Sequence, residues 1–156
     1  MSPYAITLPS PEATARFAAQ LGRRLSAGDV LLLDGPVGAG KSHFARSLIQ
    51  SLQDIPEDVP SPTFTLVQTY DTLRGPVWHC DLYRMSGPDE VEDLGLVDAF
   101  DEAICLVEWP DRLGDLAPDT ALRLTFTPDR DDLDLRRLTI TSAAPGWARR
   151  LADIAA

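Results

Sequence analysis

Gly35, Gly40, Lys41 and Ser42 stand at the spacing G-x-x-x-x-G-K-[ST] in the stretch GPVGAGKS, residues 35–42. Each residue type has a physical task there. Glycines let the backbone turn so that successive N–H groups point inward at a phosphate, helped by the positive end of the following helix. A lysine sets a flexible point charge beside the β- and γ-phosphates, and a serine hydroxyl ligates Mg²⁺. Lys41 is the only lysine among fourteen basic residues. This cradle is a place where the rigid planar fork of arginine is a poor substitute, which accounts for the one lysine kept. Gly35, Pro36, Val37, Gly38, Ala39, Gly40, Lys41 and Ser42 are therefore expected to form an exposed loop that binds a nucleoside triphosphate with Mg²⁺. The plain alternative, a glycine turn before an unrelated helix, has little room, because a buried strand precedes the motif and a helix follows it.

A triphosphate held this way needs an acid at the end of a neighbouring strand to hold Mg²⁺ or orient water. Glu108 closes the apolar run AICLVE and stands where such an acid belongs. Asp81 in VWHCDLYR is the second candidate, and alternation along that segment sends His79, Asp81 and Tyr83 to one side. Plainer readings exist for each: a solvated strand end for Glu108, a satisfied core histidine for His79, an ion-pair partner for Arg84. Guanine-specific loops add an [NT]-K-x-D element, which a chain with one lysine cannot supply. Adenine, or weak base selectivity, is favoured.

The elements around these residues follow from periodicity. YAIT (4–7) reads as a first strand, and residues 10–25 as an amphipathic helix with Ser10 as N-cap, Pro11 in the first turn and Phe17, Leu21 and Leu25 on one face. DVLLLDG (29–35) is a strand buried on both faces, and SHFARSLIQSL (42–52) has helical spacing through Phe44, Leu48 and Leu52. TFTLVQTYD (63–71) and PVWHCDLYR (76–84) are β-rich and broken by TLRG, the pattern of a hairpin-like pair. Residues 88–100 read as short helical pieces, AICLVEW (103–109) as another buried strand, 120–127 and 133–142 as strands of a partly solvated sheet, and the tail from Gly146 as a short helix. This alternation predicts one α/β domain spanning residues 1–156, like a P-loop NTPase: a mixed, mainly parallel sheet flanked by helices.

Composition narrows the function classes. A chain of 156 residues fits one domain. No apolar run approaches the roughly 18 residues of a membrane span. The N-terminus lacks the basic and apolar regions of an export signal, so the cytoplasm is the expected location. A formal charge of −10 repels polyanions, which argues against direct RNA or DNA binding, while an acidic face can still dock on a basic partner protein. Cys80 and Cys105 sit inside apolar runs without metal-site spacing and read as small buried hydrophobes.

Five segments in order, GPVGAGKS, SPTFTLVQTY, HCDLYR, PDEVEDLGL and AICLVEWPDRL, resemble the TsaE (YjeE) ATPases of bacterial tRNA threonylcarbamoyladenosine synthesis, from about residue 5 to about residue 142. The resemblance implies an ATP-binding, slowly hydrolysing accessory protein that works with TsaB and TsaD, the pair that modifies the adenosine beside the anticodon. It also implies contact with tRNA only through that complex, no membrane, and a monomer or weak oligomer alone. Carried over by position, the phosphate loop falls on Gly35 to Ser42, and a switch-like segment on Ser61 to Val67, where Thr63 and Thr65 would approach the γ-phosphate or Mg²⁺. Asp81 matches the acid of H-x-D-x-Y-R, and Glu108 with Trp109 matches a strand-end E-W pair beside the nucleotide. Mg²⁺ is assigned to Ser42 and Glu108 and water or metal positioning to Asp81, with the last two roles exchangeable; Lys41, Asp81 and Glu108 form the expected catalytic set. Ser42 where threonine is commoner, and Cys80 where Phe is often found, are small departures.

Two other readings use the same loop. A small-molecule kinase needs an acceptor pocket and an arginine-bearing lid, for which only Arg130, Arg136 and Arg137 cluster suitably, and their strand-like setting argues against it. A non-catalytic switch would bind nucleotide without hydrolysis.

Overall fold

The computed structural model describes residues 4–60, 66–152 and 154. Val30–Asp34 (β2) carries four successive buried apolar residues, so it has no wet face and lies inside the sheet. It runs parallel to Ile104–Glu108 (β5) on one side and to Leu122–Pro128 (β6) on the other. Beyond β5 comes Gly75–Asp81 (β4), parallel to it, and then the edge strand Val67–Thr72 (β3), antiparallel to β4. Beyond β6 come Arg136–Thr141 (β7) and Tyr4–Leu8 (β1), each antiparallel to its neighbour. The order is β1-β7-β6-β2-β5-β4-β3. Five of the seven strands thus point the same way, with β3 and β7 reversed. The mixed, mainly parallel sheet expected from the alternating elements is present, and so is the hairpin at 67–81.

Alternate residues of the central strands feed two cores. Leu31, Leu33, Val77, Ile104 and Leu106 pack with Pro11–Gly22 (α1), Lys41–Ser51 (α2) and Gly146–Leu151 (α5). Val30, Leu32, Cys80, Cys105 and Val107 pack on the other face with Pro88–Glu92 (α3) and Leu96–Glu102 (α4). This parity positions the site: His79, Asp81 and Glu108 share the parity of Val77 and Leu106, so their side chains stand on the α2 side. Both cysteines are free and buried, as expected of small hydrophobes, and burial pushes the Cys105 thiol up to about 12.

Beyond shifted strand ends, such as β7 starting at Arg136 rather than at 133, two differences from the periodicity shape the chain. Helix α1 has Ser10 as N-cap, its side chain accepting from Ala13 N–H, but ends at Gly22 rather than running to Leu25. Glycine is a weak helix former, and the chain leaves it in two tight turns, Arg24 N–H to Leu21 O at 2.9 Å and Leu25 N–H to Gly22 O at 3.2 Å. These turns still deliver Leu25 to the core. A 3-10 segment, Pro110–Leu116, follows β5 where the periodicity showed no element. It is started by Trp109 in the left-handed region at φ 59° and by Pro110 at the first helical position. No helix among the described residues is long and apolar enough to cross a membrane.

Candidate functional site

β2, β4 and β5 end together beneath the N-terminus of α2, and the stretch 35–42 spans the turn between β2 and α2 and the first two residues of α2. Gly35 leaves the strand at φ +140°, and a Cβ there would stand 2.6 Å from the Phe126 carbonyl oxygen on β6. Neither the angle nor the contact suits any other residue. Gly35→Ala should therefore destabilise the protein by roughly 1–3 kcal/mol. A lower urea midpoint at constant m-value would read this out, and an unchanged midpoint would contradict it.

Gly40, at φ +103°, is the N-cap of α2 and offers no side chain, so no N-cap side chain takes the first-turn N–H donors of this 11-residue helix. Ala39 N–H closes the turn on Pro36 O at 3.1 Å, and Val37 at the loop tip is 78% exposed. Lys41 differs from the expected exposed-loop lysine, for it is only 4% exposed. Its Nζ donates to Gly35 O at 2.6 Å and lies 3.5 Å from the centre of the Trp109 ring. The left-handed turn at Trp109 carries that ring over the ammonium, and the Tyr83 ring packs beside it with centroids 4.9 Å apart. Burial pushes the Lys41 pKa down, and nearby Glu108, Asp81, Asp34 and Asp111 oppose that shift. A desolvated lysine gains most from an arriving anion.

Asp81 and Glu108 are register partners at the ends of two adjacent parallel strands, and Leu33, near the end of β2, is the partner of Glu108 on its other side. Such carboxyl ends are where open α/β sheets bind ligands. Glu108 is 3% exposed; both its carboxylate oxygens lie 3.0 Å from Ser42 Oγ, and Oε2 lies 2.7 Å from His79 Nε2. His79 is 1% exposed, and its Nδ1 has no hydrogen-bond partner among the described residues. Nε2–H donating to Glu108 is the tautomer this geometry favours. Asp81 is buried, with Oδ1 accepting from Tyr83 N–H at 2.9 Å.

A cleft of about 580 Å³ opens on this group, lined among others by Gly40, Lys41, Ser42, Asp81, Glu108 and Trp109. That volume suits a nucleotide. Among the described residues no three His, Cys, Asp or Glu side chains converge as a ready-made metal site. Mg²⁺ needs none, since it is commonly held by one or two carboxylates, a hydroxyl, water and phosphate oxygens. Ser42 and Glu108, already within hydrogen-bond distance, fit that donor set.

The expected residues that are described come together around the stretch 35–42 and its cleft; Thr63 and Thr65 lie outside the described residues. His79, left open between core and site, is both, being buried and bonded to Glu108. Of the arginines considered for a kinase lid, Arg137 pairs with Asp129 at 2.7 Å, and Arg136 bonds the backbone carbonyls of Gly38 and Ala39. Asp34 was not singled out by the motifs; its carboxylate accepts from Gly35 N–H at 2.9 Å and from Arg123 at 3.1 Å, fixing the start of the loop. An acid immediately before the first motif glycine was the only available signal.

Residues 8–138 match the sequence profile of the family described as TsaE, threonylcarbamoyl adenosine biosynthesis protein. The tRNA threonylcarbamoyladenosine biosynthesis protein TsaE of Rickettsia bellii is 35% identical over 132 residues, 85% of this chain and 92% of its own. The Bacillus subtilis protein of the same name is 37% identical over 134 residues, 85% of this chain and 82% of its own. The crystal structure of Bacillus subtilis YdiB superposes with a TM-score of 0.77 at 28% identity, covering 98% of this chain and 94% of that one.

Proposed function

The chain belongs to the TsaE family of tRNA threonylcarbamoyladenosine biosynthesis proteins, and from that premise we propose that it binds ATP with Mg²⁺ in the cleft at residues 35–42 and hydrolyses it slowly. The reading rests on one observation above all: the only lysine of the chain, a serine hydroxyl and two strand-end carboxylates meet at the uncapped N-terminus of α2. The Gly40 backbone amide at the start of α2 and the Lys41 ammonium hold the phosphates. Ser42 and Glu108 would hold Mg²⁺, which would offset charge on the phosphates. Asp81 orients the attacking water, whose oxygen bonds to the γ-phosphorus as the bond to the ADP oxygen breaks. Trp109 flanks the nucleotide. His79 holds the Glu108 carboxylate in place.

The product of this reaction is ADP and phosphate rather than a modified tRNA. We assign the transfer of the threonylcarbamoyl group to TsaB and TsaD, with this chain as their ATP-driven accessory. A formal charge of −10 suits docking on basic protein surface and disfavours a direct grip on tRNA. Co-purification with tagged TsaB and TsaD should depend on ATP, and phosphate release should rise in their presence. A chain that ignores both proteins with and without ATP, or whose turnover needs a small-molecule acceptor, would refute the assignment and favour a kinase.

A further inference from the structure

Arg136, the first residue of β7, reaches the phosphate loop across 97 residues of sequence: its Nε donates to Ala39 O at 2.7 Å, and its Nη2 donates to Gly38 O at 3.2 Å. Nη1 donates to the carbonyls of Leu133 and, at 3.1 Å, Leu135. The stem of the side chain lies over Gly40, where a Cβ would stand 3.4 Å from Nε and 3.9 Å from Cγ and Cδ. One guanidinium thus joins two successive carbonyls of the loop to the segment before β7.

The consequence follows from the planarity of the trans peptide, in which C=O and the next N–H point in opposite directions. Holding Gly38 O and Ala39 O toward Arg136 turns the N–H groups of Ala39 and Gly40 the other way. The Ala39 amide is used on Pro36 O, which closes the turn. The Gly40 amide is directed away from Arg136, to the side on which Gly40, Lys41 and Ser42 line the cleft. Only a planar fork with several donors can grip two adjacent carbonyls at once; a lysine can satisfy them only from a single point. The guanidinium also places a positive charge behind the loop, which adds to the potential felt by an arriving polyphosphate.

We propose that Arg136 is a positioning residue for the phosphate loop, holding the 38–39 peptide in the closed turn and the 39–40 peptide so that the Gly40 amide faces the β-phosphate of a nucleoside di- or triphosphate, without itself touching the nucleotide. This rests on the reading of residues 35–42 as a nucleotide cradle. Because ground state and transition state use the same loop amides, loss of Arg136 should weaken binding and leave turnover of bound ATP nearly intact.

The experiment titrates Mg-ADP and Mg-ATP into wild-type protein, Arg136→Met and Arg136→Lys, with phosphate release followed at saturating ATP and far-UV circular dichroism recorded at the same temperature. The expected result for Arg136→Met is a nucleotide affinity lower by about tenfold or more, the scale of one misdirected charge-assisted hydrogen bond. For Arg136→Lys a smaller loss is expected, and for both variants a kcat within a few-fold of wild type and an unchanged dichroism spectrum. Affinities within twofold of wild type in both variants would overturn the proposal and leave the nucleotide reading standing. Equal losses in both variants with a reduced dichroism signal would also overturn it, by making Arg136 a support of the fold rather than of the loop. Wild-type protein that binds neither nucleotide would remove the cradle reading and this proposal together.

Discussion

Lys41→Ala should weaken ATP binding about a hundredfold, because a charge-assisted contact to two phosphates is worth roughly 3 kcal/mol and each 1.4 kcal/mol is a factor of ten. The apo protein should barely notice. Lys41 donates to Gly35 O and lies on the Trp109 ring, but it is desolvated, and burial lowers its pKa. Deleting it thus removes a hydrogen bond and a cation–π contact while also relieving a buried charge. The apo melting temperature should move by only a few degrees. Lys41→Met, which keeps the stem against Trp109 and lacks the charge, should lose ATP to the same extent. Calorimetric titration checks both, and an unaltered ATP dissociation constant in Lys41→Ala would sink the phosphate-loop assignment.

Glu108→Gln and Asp81→Asn should act on hydrolysis more than on binding. The cradle at residues 35–42 is untouched in each, and what is lost is the placement of metal or water, which acts chiefly in the transition state. Hydrolysis should fall on the order of a hundredfold or more. The amides are chosen for shape: a glutamine at position 108 can still meet Ser42 and His79, which Glu108 holds at 3.0 and 2.7 Å, and an asparagine at position 81 can still accept from Tyr83 N–H. Alanine at position 108 would instead take the Glu108 carboxylate from the buried His79 Nε2 and confound catalysis with stability. Wild-type hydrolysis in both variants would show that neither carboxylate takes part.

Much of the site was legible in the sequence because its parts are local. The stretch 35–42 is contiguous, with Gly35, Gly40, Lys41 and Ser42 at the motif spacing, and Asp81 and Glu108 close apolar runs that read as buried strands. Parity along VWHCDLYR placed His79 and Asp81 on one side, and the parallel pairing of β4 with β5 then made Asp81 and Glu108 neighbours. What the sequence left open depends on contacts between distant segments. His79 had two readings because only the fold brings Glu108 to its ring. The burial of Lys41 needs the left-handed turn at Trp109, and no pattern marks a positive φ in a tryptophan. Arg136 looked like one more arginine on an alternating strand until β7 returned it beneath Gly38 and Ala39. The 3-10 segment after β5 lacks the length for a periodic signal and is set by Pro110 and the kink at Gly114.

The most direct test of the central claim is a phosphate-release assay on purified protein with Mg-ATP, run alone and with TsaB and TsaD, with ADP quantified in the same samples. The expected result is one phosphate for each ADP formed, a slow rate that rises with the two partners, and no activity in Lys41→Ala under either condition. ATP that stays intact in all samples, together with no measurable ATP binding by the wild-type chain, would contradict the assignment of the cleft at residues 35–42 as an ATP-hydrolysing site.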